Sequence, residues 1–128
     1  MLPYVSAQVV RPAPFEFLKV WQLAHKLAVR VYRVTAAFPA RYRYGLALQL
    51  ERSVSSIPAN LAEGNGRSSR KEYRYFCRVA KGSVSEVRYF LRLAFDLGLV
   101  NKESFEELLD GYDLVGALLH RLIASLVS

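Results

Sequence analysis

The stretch from Ser69 to Leu97, SRKEYRYFCRVAKGSVSEVRYFLRLAFDL, decides the fold. At about 100° per residue, Tyr73, Phe76, Cys77, Ala80, Val84, Val87, Leu91 and Phe95 fall on one side of a helix. Arg70, Arg74, Arg78, Lys81, Arg88 and Arg92 fall in a narrow stripe beside them. Ser69 with Glu72 three positions later reads as a capping box at the start, and Gly98 marks the stop. A third set, Tyr75, Val79, Tyr89, Phe90 and Leu93, lies away from the main seam. A bundle monomer has no use for a second apolar face, so this set predicts contact with another subunit.

Working outward, the Gly64-Asn65-Gly66 turn separates this helix from an earlier one whose seam is Leu46, Leu50, Val54, Ile57 and Leu61. Pro58 falls inside that seam and removes the hydrogen bond to the Val54 carbonyl, which predicts a kink within one helix. The hydroxyls of Ser53, Ser55 and Ser56 are expected to help satisfy the freed carbonyls. Asn60 and Glu63 read as polar fasteners around the kink and the turn, with an i, i+4 contact from Glu63 to Arg67. Earlier still, from about Glu16 to Ala37, Phe17, Val20, Leu23, Ala24, Leu27, Ala28, Val31 and Val34 recur at helical spacing, with Lys19, Lys26, Arg30 and Arg33 opposite. Phe38-Pro39 ends that helix. Beyond Gly98, Asn101 reads as an N-cap with Val100 and Phe105 as a hydrophobic staple. Leu108, Leu109, Tyr112, Val115, Leu119, Leu122, Ile123 and Leu126 continue the apolar face of a fourth helix. No strand pattern competes, and short connections imply antiparallel neighbours. The expected fold is all-α, an antiparallel up-down-up-down four-helix bundle over 15–128. Residues 1–14, with Pro3, Pro12 and Pro14, read as a leader.

A chain of 128 residues with 52% apolar and 23% charged composition suits one folded domain. Its net charge is +7, and sixteen of eighteen Lys and Arg precede residue 93, while Glu103, Glu106, Glu107, Asp110 and Asp113 crowd the fourth helix. This balance favours anionic partners without identifying them. The single Cys77 reads as a small core hydrophobe. There is no secretory signal pattern and no membrane-length apolar run, so a cytoplasmic protein without membrane contact is expected.

No reaction centre stands out. His25 and His120 lack a metal-ligand spacing, the serines lack a His-Asp arrangement, and the G-N-G-R turn at 64–67 lacks phosphate-loop spacing. Catalytic, metal and cofactor sites are therefore not expected. The stripe on helix three, with Lys26, Arg30 and Arg33 on helix one, matches the phosphate backbone of RNA or DNA, and interleaved Arg and Tyr can stack on unpaired bases. Two alternatives stand beside that reading. The stripe can be a solvated face, or it can pair with the acidic face of helix four on a neighbouring subunit and set the register of a ring.

The segment RYGLALQLERSVSSIPANLAEGNGRSSRKEY, Arg43 to Tyr73, with SIPANLAEG at its centre, resembles a bacterial four-helix-bundle family that includes proteins encoded in intervening sequences of 23S ribosomal RNA genes. WQLAHKLAVRVY from Trp21 to Tyr32, Phe38-Pro39 and DLGLV from Asp96 to Val100 fit the same pattern. More distantly, the chain is similar to the accessory protein of diversity-generating retroelements, a basic pentamer that works with a reverse transcriptase and nucleic acid. The resemblance implies a four-helix bundle, a homo-oligomer that is pentameric, and nucleic-acid contact, and it carries over no catalytic residue. The expected function is non-enzymatic binding of nucleic acid through helices one and three. The alternative is a scaffold that docks an acidic protein partner such as a polymerase.

Overall fold

The computed structural model describes residues 13–127. It contains four α-helices, α1 (Lys19–Thr35), α2 (Leu46–Asn65), α3 (Arg70–Asp96) and α4 (Lys102–Ser125), and short 3-10 turns at Pro14–Phe17 and Ala40–Tyr42. There is no strand among the described residues. Residues 1–12 of the leader expected at 1–14 lie outside them, and Pro14, assigned to it on sequence, opens the first 3-10 turn. Extended backbone at Leu18 (φ −73°, ψ 126°) separates that turn from α1, so the first helix starts three residues later than its apolar periodicity suggests.

Helix ends follow local chemistry. The Glu72 amide donates to the Ser69 hydroxyl at 3.1 Å to open α3, and the Ser104 amide donates to the Asn101 side chain at 2.8 Å to open α4. Gly98, at φ +75°, takes the left-handed position that closes α3. Its N–H bonds the Phe95 carbonyl and the Leu99 N–H bonds the Ala94 carbonyl, both at 2.9 Å, so two carbonyls of the last turn are satisfied. α2 continues through Pro58 as one helix. The serine hydroxyls act differently from expectation. Ser53 and Ser55 donate to the Gln49 and Glu51 carbonyls four residues back, and Ser56 accepts from Asn60 and Ser83. None reaches the Val54 carbonyl among the described residues, because a hydroxyl in a helix most readily reaches the carbonyl of its own preceding turn.

Side-chain pairs fix the antiparallel order. Thr35 and Tyr32 of α1 meet Glu51 and Ser55 of α2; Ser83 of α3 meets Ser56 of α2; Arg88 and Lys81 of α3 meet Asp113 and His120 of α4. α1 and α3 lie on opposite corners, with no close backbone approach between them. The core between the four is largely aliphatic, with Val31, Leu50, Val54, Ile57, Leu61, Val87, Leu91, Leu108, Val115 and Leu119 at 0% exposure. Each such side chain contributes about 1.5–3 kcal/mol relative to an exposed position. Tyr112 is also fully buried, its hydroxyl has no partner among the described residues, and burial pushes its ionisation upward. Two close approaches pin the helices. A Cβ on Gly64 would lie 2.8 Å from the Phe76 Cβ, and one on Gly111 would lie 2.7 Å from a Leu27 methyl.

Candidate nucleic-acid interface

α4 carries its acids in its first half and runs antiparallel to α3, so those acids face the second half of α3. Arg88 is accordingly paired with Asp113, while Arg92 pairs with Asp96 one turn along its own helix at 3.1 Å. On the other side of α4, Glu107 takes Arg30 of α1 at 2.8 Å. The acidic face thus engages cations of its own chain at Glu107 and Asp113. Glu103, Glu106 and Asp110 have no ion pair among the described residues.

The remaining predicted cations separate into two patches. Lys26 and Arg33 sit with Arg30 on the outer surface of α1, beside His25 and Val29. Arg70, Arg74, Arg78 and Lys81 occupy the first half of α3, where no carboxylate pairs with them among the described residues. They span about 17 Å along the helix axis. α1 and α3 are diagonal in the bundle, each packed against α4, so the two patches sit on separate helices with α4 between them.

A groove of about 610 Å³ follows the seam between the first half of α3 and the end of α4. Arg74, Arg78 and Lys81 line one wall, and Ile123, Ala124 and Val127 give it an apolar wall opposite. The Arg74 Nε is buried and has no partner among the described residues, and Lys81 Nζ lies 3.1 Å from His120 Nδ1. The end of α4 presents backbone carbonyls rather than carboxylates here, which favours cations without neutralising them. His120, noted on sequence only for lacking a metal-ligand spacing, and Ile123, grouped there with the apolar face of α4, were not assigned to this surface, and Ala124 and Val127 were not singled out. Their only signal is that an antiparallel α4 must bring its last two turns to the start of α3.

The second face of α3 divides in the structure. Tyr75 and Tyr89 are 61% and 60% exposed, and Val79 is 37% exposed, whereas Phe90 and Leu93 are half-buried against the chain's own core. Leu97, 47% exposed, continues the ridge. It lies four residues after Leu93, a spacing visible in the sequence.

Burial pushes the Cys77 thiol up to about 11, which keeps it protonated and unreactive at neutral pH. Burial also raises the Tyr73 hydroxyl, partly offset by its hydrogen bond from Asn65. No group of three or more His, Cys, Asp or Glu among the described residues is placed to hold a metal, and no described helix is long and apolar enough to cross a membrane.

Comparison with known proteins gives a family match and a fold match. The family model of the 23S rRNA-intervening sequence proteins matches residues 16–121. A solved structure from Bacteroides thetaiotaomicron, a protein with unknown function from the S23 ribosomal protein family, superposes with a TM-score of 0.76 at 23% identity, covering 82% of this chain and 95% of that one. That likeness establishes the shared fold. No curated protein matches the chain.

Proposed function

The chain belongs to the family of 23S rRNA-intervening sequence proteins, and from that premise we propose that it is a non-enzymatic, homo-oligomeric binder of nucleic acid. The contact is made by Arg70, Arg74, Arg78 and Lys81. The observation that carries this reading is the placement of these four cations on one helical stripe with no carboxylate against them among the described residues. Arg30, Arg88 and Arg92 serve ion pairs instead. Lys26 and Arg33 form a separate, smaller patch that extends the contact only if a second chain brings the two patches together. The exposed ridge of Tyr75, Val79, Tyr89 and Leu97 supports self-association, and the pentamer implied by the resemblance is the state to test by sedimentation equilibrium.

A mobility-shift assay tests the binding. Arg74→Glu combined with Arg78→Glu abolishes retention of RNA or DNA at low salt, because reversal removes about two phosphate contacts and adds repulsion. Retention unchanged by the pair of reversals sinks the reading. The same row of cations also favours a second reading, a scaffold that docks an acidic protein such as a polymerase while only that partner touches nucleic acid. Capture of one such protein that survives nuclease treatment, with no shift by the isolated chain, decides for it.

A further inference from the structure

Two apolar surfaces of the described chain are left over by the bundle, and they differ in shape. One is the convex ridge on the outer side of α3, where Tyr75, Val79 and Tyr89 are exposed. The other is an open groove of about 700 Å³ between α1 and α2, lined by Trp21, Val29, Tyr32, Arg33, Pro58 and Ala59 among others. Exposed apolar surfaces of this kind mark sites of interaction. Ridge and groove lie on different helices, so one copy of the chain can offer its ridge to the groove of another.

The two surfaces match in length, shape and charge. From Tyr75 to Tyr89 the ridge runs about 21 Å, and from Trp21 to Ala36 the groove runs about 22 Å along α1. On the ridge, Gly82, Glu86 and Tyr89 follow one another at steps of four and three residues; along the groove, Val29, Arg33 and Ala36 do the same. Set side by side, each pair is complementary. Val29 meets a glycine, the Tyr89 ring meets the small Ala36, and the Glu86 carboxylate meets the Arg33 guanidinium. Gly82 leaves a hollow in the ridge, since a Cβ placed on it has nothing within 4 Å. Glu86 and Arg33 are both exposed, and neither has an ion pair among the described residues. The charges also set the direction. With the two helices parallel, pairing Glu86 with Arg33 keeps Tyr75 inside the groove, beside Gln22. With the helices antiparallel, the same pairing carries Tyr75 eleven residues beyond Arg33, past the end of α1 at Thr35. Steps of four and three are the repeat by which parallel helices interlock.

We infer that the α3 ridge of one copy seats in the α1–α2 groove of a second copy, parallel to its α1, with Gly82, Glu86 and Tyr89 against Val29, Arg33 and Ala36. This rests on the self-association proposed above and names the two surfaces that meet. Because they are unlike, the contact is head-to-tail, the arrangement that closes rings. It assigns Arg33 to assembly rather than to nucleic acid, and it sets Lys26 of one copy beside Val79, and so next to Arg78, of the other. Two experiments on the full-length chain test it. In the first, Gly82→Cys and Val29→Cys are made in separate chains; Cys77, buried with its thiol raised to about 11, does not compete. Oxidation of the mixture with diamide yields a disulfide-linked dimer, and neither chain cross-links alone. In the second, sedimentation equilibrium follows a charge exchange. Glu86→Arg and Arg33→Glu each weaken association at least about tenfold, and both changes in one chain restore it to within about threefold of the unaltered protein. Cross-linking of Gly82→Cys with itself puts ridge on ridge and overturns the inference, as does an exchanged chain that stays as weak as the single variants. An oligomer that gives no mixed cross-link overturns this interface and leaves self-association standing. A chain that sediments as a monomer at every concentration overturns both, while the mobility-shift assay reads nucleic-acid binding separately.

Discussion

In the first half of α3, Arg74, Arg78 and Lys81 face Ile123, Ala124 and Val127 of α4 across a groove; in the second half, Arg88 and Arg92 are held by Asp113 and Asp96. The two halves carry one continuous stripe of cations with one helical phase. They differ because α4 is electrically lopsided and runs the other way. A periodic charge pattern on one helix therefore does not define a surface. The neighbouring helix decides which part of it remains available, and antiparallel packing makes that decision readable once the order of the helices is known.

Four changes break or sharpen this contrast. The largest acts on the packing that holds the first half of α3 in place. Gly64→Ala drives a Cβ to 2.8 Å from the Phe76 Cβ and 3.2 Å from the Tyr73 carbonyl. Neither is the free end of a flexible side chain, so urea unfolding should show a loss of about 1–3 kcal/mol. Next, Ala124→Glu carries the lopsidedness of α4 into its last turns and gives Arg74 and Arg78 a carboxylate. Filter binding of RNA at low salt should weaken about tenfold, as expected for one or two neutralised phosphate contacts. Ser69→Ala removes the hydroxyl that accepts from Glu72 and should lower stability by about 1 kcal/mol, with hydrogen exchange accelerating first at Arg70 to Arg74. Smallest of all, Asp113→Ala frees Arg88 from a pair whose side chains are 45% and 60% exposed. After allowance for solvent screening the change costs well under about 1 kcal/mol, and it should strengthen RNA binding slightly by making the second half resemble the first.

Sequence reasoning captured the bundle because its evidence was local and redundant. The caps at Ser69 and Asn101, the left-handed stop at Gly98 and the unbroken apolar seams each specify the same four helices. Even Pro58, a helix breaker by itself, is overruled by the buried seam of Leu50, Val54, Ile57 and Leu61 around it. The division of the cations was not legible in the same way. Arg30 and Glu107 are far apart in the chain, and so are Arg88 and Asp113; their pairing depends on helix register, which periodicity leaves undetermined. Phe90 and Leu93 share the phase of Tyr75 and Tyr89 closely enough to be grouped with them, yet they are half-buried against the chain's own core.

The central claim, that only the first half of the α3 stripe meets phosphate, is tested most directly by the salt dependence of binding to a single-stranded RNA oligomer. Four contacts predict a slope of log K against log salt of about −3 for the unaltered chain. Arg74→Gln with Arg78→Gln should bring the slope to about −1.5, while Arg88→Gln with Arg92→Gln should leave it near −3. Equal slopes for the two double variants, or a shallower slope only for Arg88→Gln with Arg92→Gln, would contradict the account.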